Sequence, residues 1–292
     1  MIDICCIGHI THDRIITPRR TVELNGGTSY YFSYSLNHMP GMSYKLVTSL
    51  ASRDMKAVDD MRAAGIDVDV VASHDTVFFE NAYGDNMDNR RQRVLAKADP
   101  FSYDSLKNVR ARYIHLGSLL ADDFSSDVIK MISNNGILSV DAQGFLRYVD
   151  GENVVPCDWK EKKDVLQYVD ILKVNEFEVE SLTGYKDMKQ AARLLASWGV
   201  GEVVMTFGSY GSIIYADGKY YEIEAFKPHN RVDATGCGDT YAAGYIYMRS
   251  QGAGYEDAGR FAAAMATLNI EKTGPFNGTV DDIIKVMNES KE

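Results

Sequence analysis

Cysteine is scarce in this chain. Only Cys5, Cys6, Cys157 and Cys237 occur in 292 residues. No CxxC pair is present and no His stands at zinc spacing, which disfavours the common zinc frameworks. Free thiols in a reducing cytoplasm are expected. No apolar run approaches the ~18 residues that span a membrane. The first residues, Met1-Ile2-Asp3-Ile4-Cys5-Cys6-Ile7, lack the basic region of a secretion signal and read as a buried strand. Positive charge is in deficit: the net charge is −10, which argues against a nucleic-acid partner. It leaves phosphate ligands open, because backbone amides and a metal can hold phosphate on an acidic protein. There is no G-x-x-x-x-G-K-[ST] and no well-placed G-x-G-x-x-G, so a P-loop enzyme and a Rossmann dehydrogenase are both disfavoured. Linkers, low-complexity tracts and internal repeats are also missing, and residues 1–292 read as one unit.

What is present is alternation. Strand-length apolar runs are predicted at 2–7, 45–50, 113–117, 136–141, 171–174 and 203–206. Helical periodicity is predicted at 27–38, 56–64, 125–134, 187–198, 240–250, 255–269 and 280–288. Such alternation predicts an α/β fold, with a mostly parallel sheet covered on both faces. Ligands in such sheets bind beyond the carboxyl ends of the strands. Gly8, Gly117, Asp141, Asn175 and Gly208 all fall at or just after a strand end, so one crevice can gather them. Segments 10–24 and 75–95 break the pattern with short polar-interleaved strands, the second shaped as a hairpin with a turn-rich tip. Arg90, Arg91 and Arg93 in it read as a solvated charge run.

The most informative stretch is Asp233-Ala234-Thr235-Gly236-Cys237-Gly238-Asp239-Thr240. It reads as a tight turn opening a helix. A helix start offers unpaired N–H groups and partial positive charge, and glycines let an anion approach them. With Asp239 beside such a hole, the amides of Gly236, Cys237 and Gly238 suit a transferring phosphoryl group, and the carboxylate suits proton removal from an attacking hydroxyl. An ordinary capped helix start would use the same residues. Asn175 and Glu178 lie a turn apart where a strand gives way to a helix. They suit a Mg²⁺ that leans on phosphates, and equally a capping box. Thr206, Gly208 and Gly211 form a glycine loop between two strands, fit for phosphate or ribose, or simply a β-turn.

These motifs, in this order, resemble the ribokinase-like (PfkB) carbohydrate kinases. The 233–239 stretch is similar to that family's D-T-x-G-A-G-D signature, with Ala at the first Thr and Cys between the glycines. Ile7-Gly8-His9 with Asp13, the pair Gly26-Gly27, Asn175–Glu178 as N-x-x-E, and Thr206–Gly211 as T-x-G-x-x-G extend the likeness over roughly residues 2 to 288. The resemblance implies a three-layer α/β/α sandwich with a small β lid, formed here by segments 10–24 and 75–95. It implies an ATP-dependent kinase with Mg²⁺, Asp239 as general base and a small polyol or sugar as acceptor. It also implies that Asn175, Thr206, Gly208, Gly211 and Asp233 serve the nucleotide end, with Asn175 and Glu178 at the metal. Asp233 would organise the loop and a monovalent-cation site such as one for K⁺, or act as a turn-forming Asx residue. A homodimer is left open.

The acceptor end implied by the resemblance comprises Asp13, Gly26, Gly27, Tyr31, Asp141, Gln143 and Arg147. Tyr31 stands where many members have Asn, and Asp141-x-Gln143-x-x-x-Arg147 replaces D-x-N-x-R. Both departures turn the reading away from ribose and toward the family's inositol kinases. Two rivals remain: a nucleoside kinase, with Tyr30-Tyr31-Phe32 stacking a base, and a non-catalytic sensor of sugar or nucleotide. Cys237, at a helix start, is expected to gain modest thiolate character, or to be an inert stand-in for Ala.

Overall fold

The computed structural model describes residues 1–83 and 90–289, and of Arg90 the backbone only. The strands are β1 (Ile2–Ile7), β2 (Thr11–Ile16), β3 (Thr21–Gly26), β4 (Tyr44–Ala51), β5 (Val68–Ser73), β6 (Val77–Tyr83), β7 (Arg90–Ala96), β8 (Ala111–Leu116), β9 (Ile137–Asp141), β10 (Arg147–Asp150), β11 (Asn153–Pro156), β12 (Ile171–Asn175), β13 (Glu202–Thr206), β14 (Ser212–Ala216) and β15 (Lys219–Ile223). The α-helices are α1 (Thr28–Asn37), α2 (Lys56–Ala63), α3 (Tyr103–Leu106), α4 (Ser126–Ser133), α5 (Lys162–Val165), α6 (Glu176–Thr183), α7 (Met188–Ser197), α8 (Cys237–Ser250), α9 (Tyr255–Ile270) and α10 (Val280–Glu289).

Nine strands form the main sheet in the order β15-β14-β13-β12-β9-β8-β1-β4-β5. Every pair from β13 to β5 is parallel, and β14 and β15 add an antiparallel edge. Alternation along the strands sends side chains to two cores. Ile4, Cys6, Leu46, Ile171 and Val204 meet α1, α2, α8, α9 and α10 on one face. Cys5, Ile7, Val47, Leu172, Val174, Val203 and Met205 meet α3 to α7 on the other. Two buried faces explain why the strands read as continuous apolar runs. The expected α/β/α sandwich is present.

The second sheet runs β10-β11-β7-β6-β2-β3 and is antiparallel except between β2 and β6. Its apolar underside, Val77, Phe79 and Val94, packs on Leu119 and Leu120 from the loop after β8. The second sheet, the expected lid, therefore includes a third segment beyond 10–24 and 75–95, the β10–β11 hairpin, whose short strands carry no strong periodic signal. Residues 84–89 of the hairpin tip, and the Arg90 side chain, lie outside the described residues. Arg91 is exposed, as the solvated reading has it. Arg93 is not simply solvated: it pairs with Glu80 and Glu152. The helix expected at Thr240 begins three residues earlier, at Cys237, because the left-handed turn at Gly236 already starts it.

Candidate active site

The site is built where α8 begins. Gly236 is its N-cap, at φ 74° in the left-handed region where glycine is favoured. A Cβ there would also lie 2.2 Å from Cδ1 of Tyr31, so the turn and the Tyr31 ring need each other's shape. Asp233 Oδ1 accepts from the Thr235 amide at 2.9 Å, which is the Asx turn. The amides of Val232 and Asp233 donate to Ile270 O at the end of α9. No side chain caps α8, so its first-turn amides and dipole are left for a ligand. The Cys237 amide is the exception, donating to Ala234 O at 3.2 Å. Its expected place in the anion hole is thereby weakened, while Gly238 and Asp239 follow it in the first turn.

Asp239 keeps part of its surface open to the crevice but is enclosed by protein, and desolvation pushes its carboxyl up to about 7. Lys173 and a hydrogen bond from the Thr28 hydroxyl pull the other way. Burial thus opposes the ionised form that a carboxylate beside an anion site and a metal is expected to hold. For Cys237, the surroundings favour the second of the two alternatives, a thiol standing in for Ala. Burial, with Asp233 and Asp239 nearby, raises its pKa, opposed only by a hydrogen bond from Asn269. The helix start does not win, because the sulfur sits in protein rather than in the crevice's positive end.

Behind the turn lies a connected row of strand ends. Asp141, 1% exposed at the end of β9, accepts from the Gln143 amide at 3.0 Å through Oδ1 and from Lys173 Nζ at 2.9 Å through Oδ2. Gln143 Oε1 accepts from Arg147 Nη2 at 3.0 Å, and Arg147 Nε donates to Leu119 O at 2.6 Å. Arg147 opens β10 and lies over the Phe79 ring of the lid, 5.8 Å from its centroid. The Asp141–Gln143–Arg147 spacing thus runs as one hydrogen-bonded row from sheet to lid, with Asp141 at its buried end.

Asn175 caps α6, and the capping box is complete. Its side chain accepts from the Phe177 and Glu178 amides, while Glu178 accepts from the Asn175 amide and side chain at 2.8 and 2.7 Å. Thr206 is the register partner of Asn175 on β13. The following turn needs Gly211, where a Cβ would meet Ile223 O at 2.2 Å, and Gly208 stands in open space at φ 53°. For Mg²⁺, no cluster of three His, Cys, Asp or Glu occurs among the described residues. Asn175 and Glu178 already satisfy each other, so the donor set fits only a metal held mainly by phosphate oxygens and water, with these two at its edge.

Among the residues expected at an acceptor, Asp13 on β2 lies against the glycine pair. A Cβ on Gly26 would come 2.4 Å from Asp13 Oδ2, and one on Gly27 2.7 Å from His9 O. Tyr31 is 5% exposed, and its pKa is raised by burial and by Asp13, Asp233 and Asp239. That charge environment ties Asp13 to the α8 turn. Three residues escaped the sequence reading. Lys173 had a signal, a charged side chain inside a central parallel strand. Thr28 and Asn269 had none, since helical Thr and Asn are ordinary.

The fold is that of the ribokinase-like α/β proteins. Residues 81–282 match the pfkB family of carbohydrate kinases, and the chain belongs to that family. A 120-residue stretch is 37% identical to the cytidine kinase of Thermococcus kodakarensis, covering 40% of this chain and 43% of that protein. This chain therefore spans under half of that relative's length. A pyrophosphate-dependent kinase in the ribokinase family, solved with a pyrophosphate analog and myo-inositol, superposes with a TM-score of 0.87 at 28% identity over 97% of this chain and 99% of that one. Arabidopsis thaliana ribokinase, solved with ribose and ATP, gives 0.79 at 18% identity over 98% of each, a likeness of fold alone.

Proposed function

We propose that this protein transfers a terminal phosphoryl group from MgATP to a hydroxyl of a small neutral polyol, of cyclitol type. The observation that carries the reading is the Asp239 carboxylate beside the side-chain-free start of α8. Tyr31 packs on the turn with Asp13 nearby, and Lys173 lies within the electrostatic reach of both Asp239 and Glu178. Asp13 accepts hydrogen bonds from acceptor hydroxyls over Gly26 and Gly27, and Tyr31 and the lid narrow the space around a ring. As the acceptor oxygen attacks phosphorus, its proton passes to Asp239, the new O–P bond forms, and the bond to the leaving phosphate oxygen breaks. The Gly238 and Asp239 amides hold the phosphoryl oxygens. Asn175 and Glu178 would stand at the edge of a Mg²⁺ held mainly by phosphate oxygens and water, which would neutralise the donor phosphates. Thr206, Gly208 and Gly211 receive the rest of the donor. Asp233 shapes the loop, beside which a K⁺ site is proposed. The unit spans the whole chain and acts in the cytoplasm, with a homodimer left open.

A second donor is favoured by one finding: the full-length likeness to a pyrophosphate-dependent kinase. A second acceptor class, nucleosides, is favoured by the partial likeness to a cytidine kinase. A matrix of donors (ATP, pyrophosphate) against acceptors (myo-inositol, other cyclitols, ribose, cytidine), followed by ³¹P NMR of product, tests both. Turnover confined to a polyol row supports the acceptor reading. Robust turnover of ribose or cytidine alone would refute it.

A further inference from the structure

Lys173 occupies a position where a lysine costs stability. β12 lies in the middle of the main sheet, between β13 and β9, with Leu172 and Val174 in one core. Alternation sends Lys173 to the opposite face with Ile171, the face that α8 covers. It is 6% exposed, and it is the only buried lysine or arginine among the described residues. An ammonium is removed from water only at considerable cost unless it is paired. Here the pair is Asp141, with Nζ 2.9 Å from Oδ2. Asp141 is itself held from its other oxygen by the Gln143 amide.

The direction of the ammonium is the second observation. A Cβ placed on Gly238 would lie 3.1 Å from Lys173 Nζ and 3.6 Å from Cε. The charged end therefore rests against the turn that starts α8, and glycine at 238 is what lets it come so close. Burial alone would lower its pKa, but Asp141, Glu178 and Asp239 reverse this and raise it, so the group stays charged. A side chain serving only to neutralise Asp141 has no need to reach Gly238.

Resting on the kinase reading above, we propose that Lys173 is the fixed cation of the phosphoryl-transfer site, held by Asp141 against Gly238 so that its charge stabilises the phosphoryl oxygens bound at the α8 turn. It takes no proton and forms no bond. A preorganised charge in a site shielded from water acts strongly where negative charge develops. It also offsets repulsion between an arriving phosphate and Asp141, Glu178 and Asp239.

The experiment compares wild type, Lys173→Met, and the double variant Lys173→Met/Asp141→Asn, in which Asp141 is not left as a buried carboxylate without its ion-pair partner. Lys173→Met should lower kcat by about 10²-fold, within the range for losing one such group, and weaken inorganic phosphate binding by calorimetry by about tenfold. The double variant should recover the melting temperature lost in the single one, while turnover and phosphate affinity stay low. Retention of kcat and phosphate affinity within about threefold in Lys173→Met, well short of that range, would overturn the proposal. Recovery of both in the double variant would also overturn it, since Lys173 would then serve only Asp141. The phosphate measurement needs no turnover. If wild type phosphorylates no acceptor but binds phosphate in a Lys173-dependent way, the kinase reading fails, and with it the transfer role, while Lys173 as the cation of a phosphate site at the α8 turn stands.

Discussion

The α8 turn and the lid handle charge in opposite ways. At the turn, Lys173, Asp141 and Glu178 are buried, and each is held by short contacts to strand ends or capping amides. In the lid, Arg14 pairs with Glu23, and Arg93 with Glu152, with a third to a half of each side chain in water. Glu80, buried between Arg14 and Arg93, is the exception. Buried charges unpaired by mutation are costly and shift proton affinities, whereas exposed pairs contribute about 0–1 kcal/mol each. The rigid region can therefore carry chemistry, while the lid can change sequence or position cheaply and shape what it covers.

The contrast is broken most sharply at Asp239. Asp239→Asn should lower kcat by about 10²–10⁴-fold, measured with the best donor–acceptor pair from the matrix. Retention of more than about a tenth of wild-type turnover would remove Asp239 as the base. Asp13→Ala comes next. Losing hydrogen bonds to a charged group, ~1.5–3 kcal/mol each, should raise the acceptor KM by more than about tenfold and leave the donor KM within about twofold. A raised donor KM with an unchanged acceptor KM would place Asp13 at the wrong end.

Asp239 also makes a smaller, sign-specific prediction about stability. Its folded pKa, about 7, lies above the ordinary 3.8, so the native state binds the proton more tightly than the unfolded chain. The stabilisation from that proton is whole below about pH 4, and it is lost as pH rises through about 7. At high pH the ionised carboxylate should cost at most about 4 kcal/mol. Asp239→Asn, which mimics the neutral form, should thus melt higher than wild type at pH 8. The gap should open between about pH 4 and 7 and stay level above. Thermal denaturation across that range would show a flat, absent gap if burial does not raise this carboxyl. For the same reason the acid limb of kcat/KM should fall near pH 7.

The smallest effect belongs to the lid. Glu23→Gln removes half-exposed contacts to His12 and Arg14 and should move the melting temperature by no more than about 2 °C. A drop of more than about 5 °C would mean that the lid stores stability as the floor does.

Much of this was legible beforehand because it is local. A glycine-flanked Asp before a periodic run announces a helix start, and apolar runs between such starts announce a parallel sheet. The β10–β11 hairpin escaped because four-residue strands have too little period to read. The row from Asp141 through Gln143 to Arg147 was noticed as a spacing. That Asp141 is its buried end depended on Lys173, 32 residues away.

By itself, the sequence determined the alternation of elements, the turn before α8 and the identity of the groups at the strand ends. These follow from neighbours a few residues apart, where backbone preference and side-chain period act. Only the tertiary structure decided which of those groups are charged and to whom they belong. The raised pKa of Asp239, the raised pKa of the Cys237 thiol and the reach of Lys173 to Gly238 all depend on how much water the packed helices exclude. That exclusion is set by contacts across the whole chain.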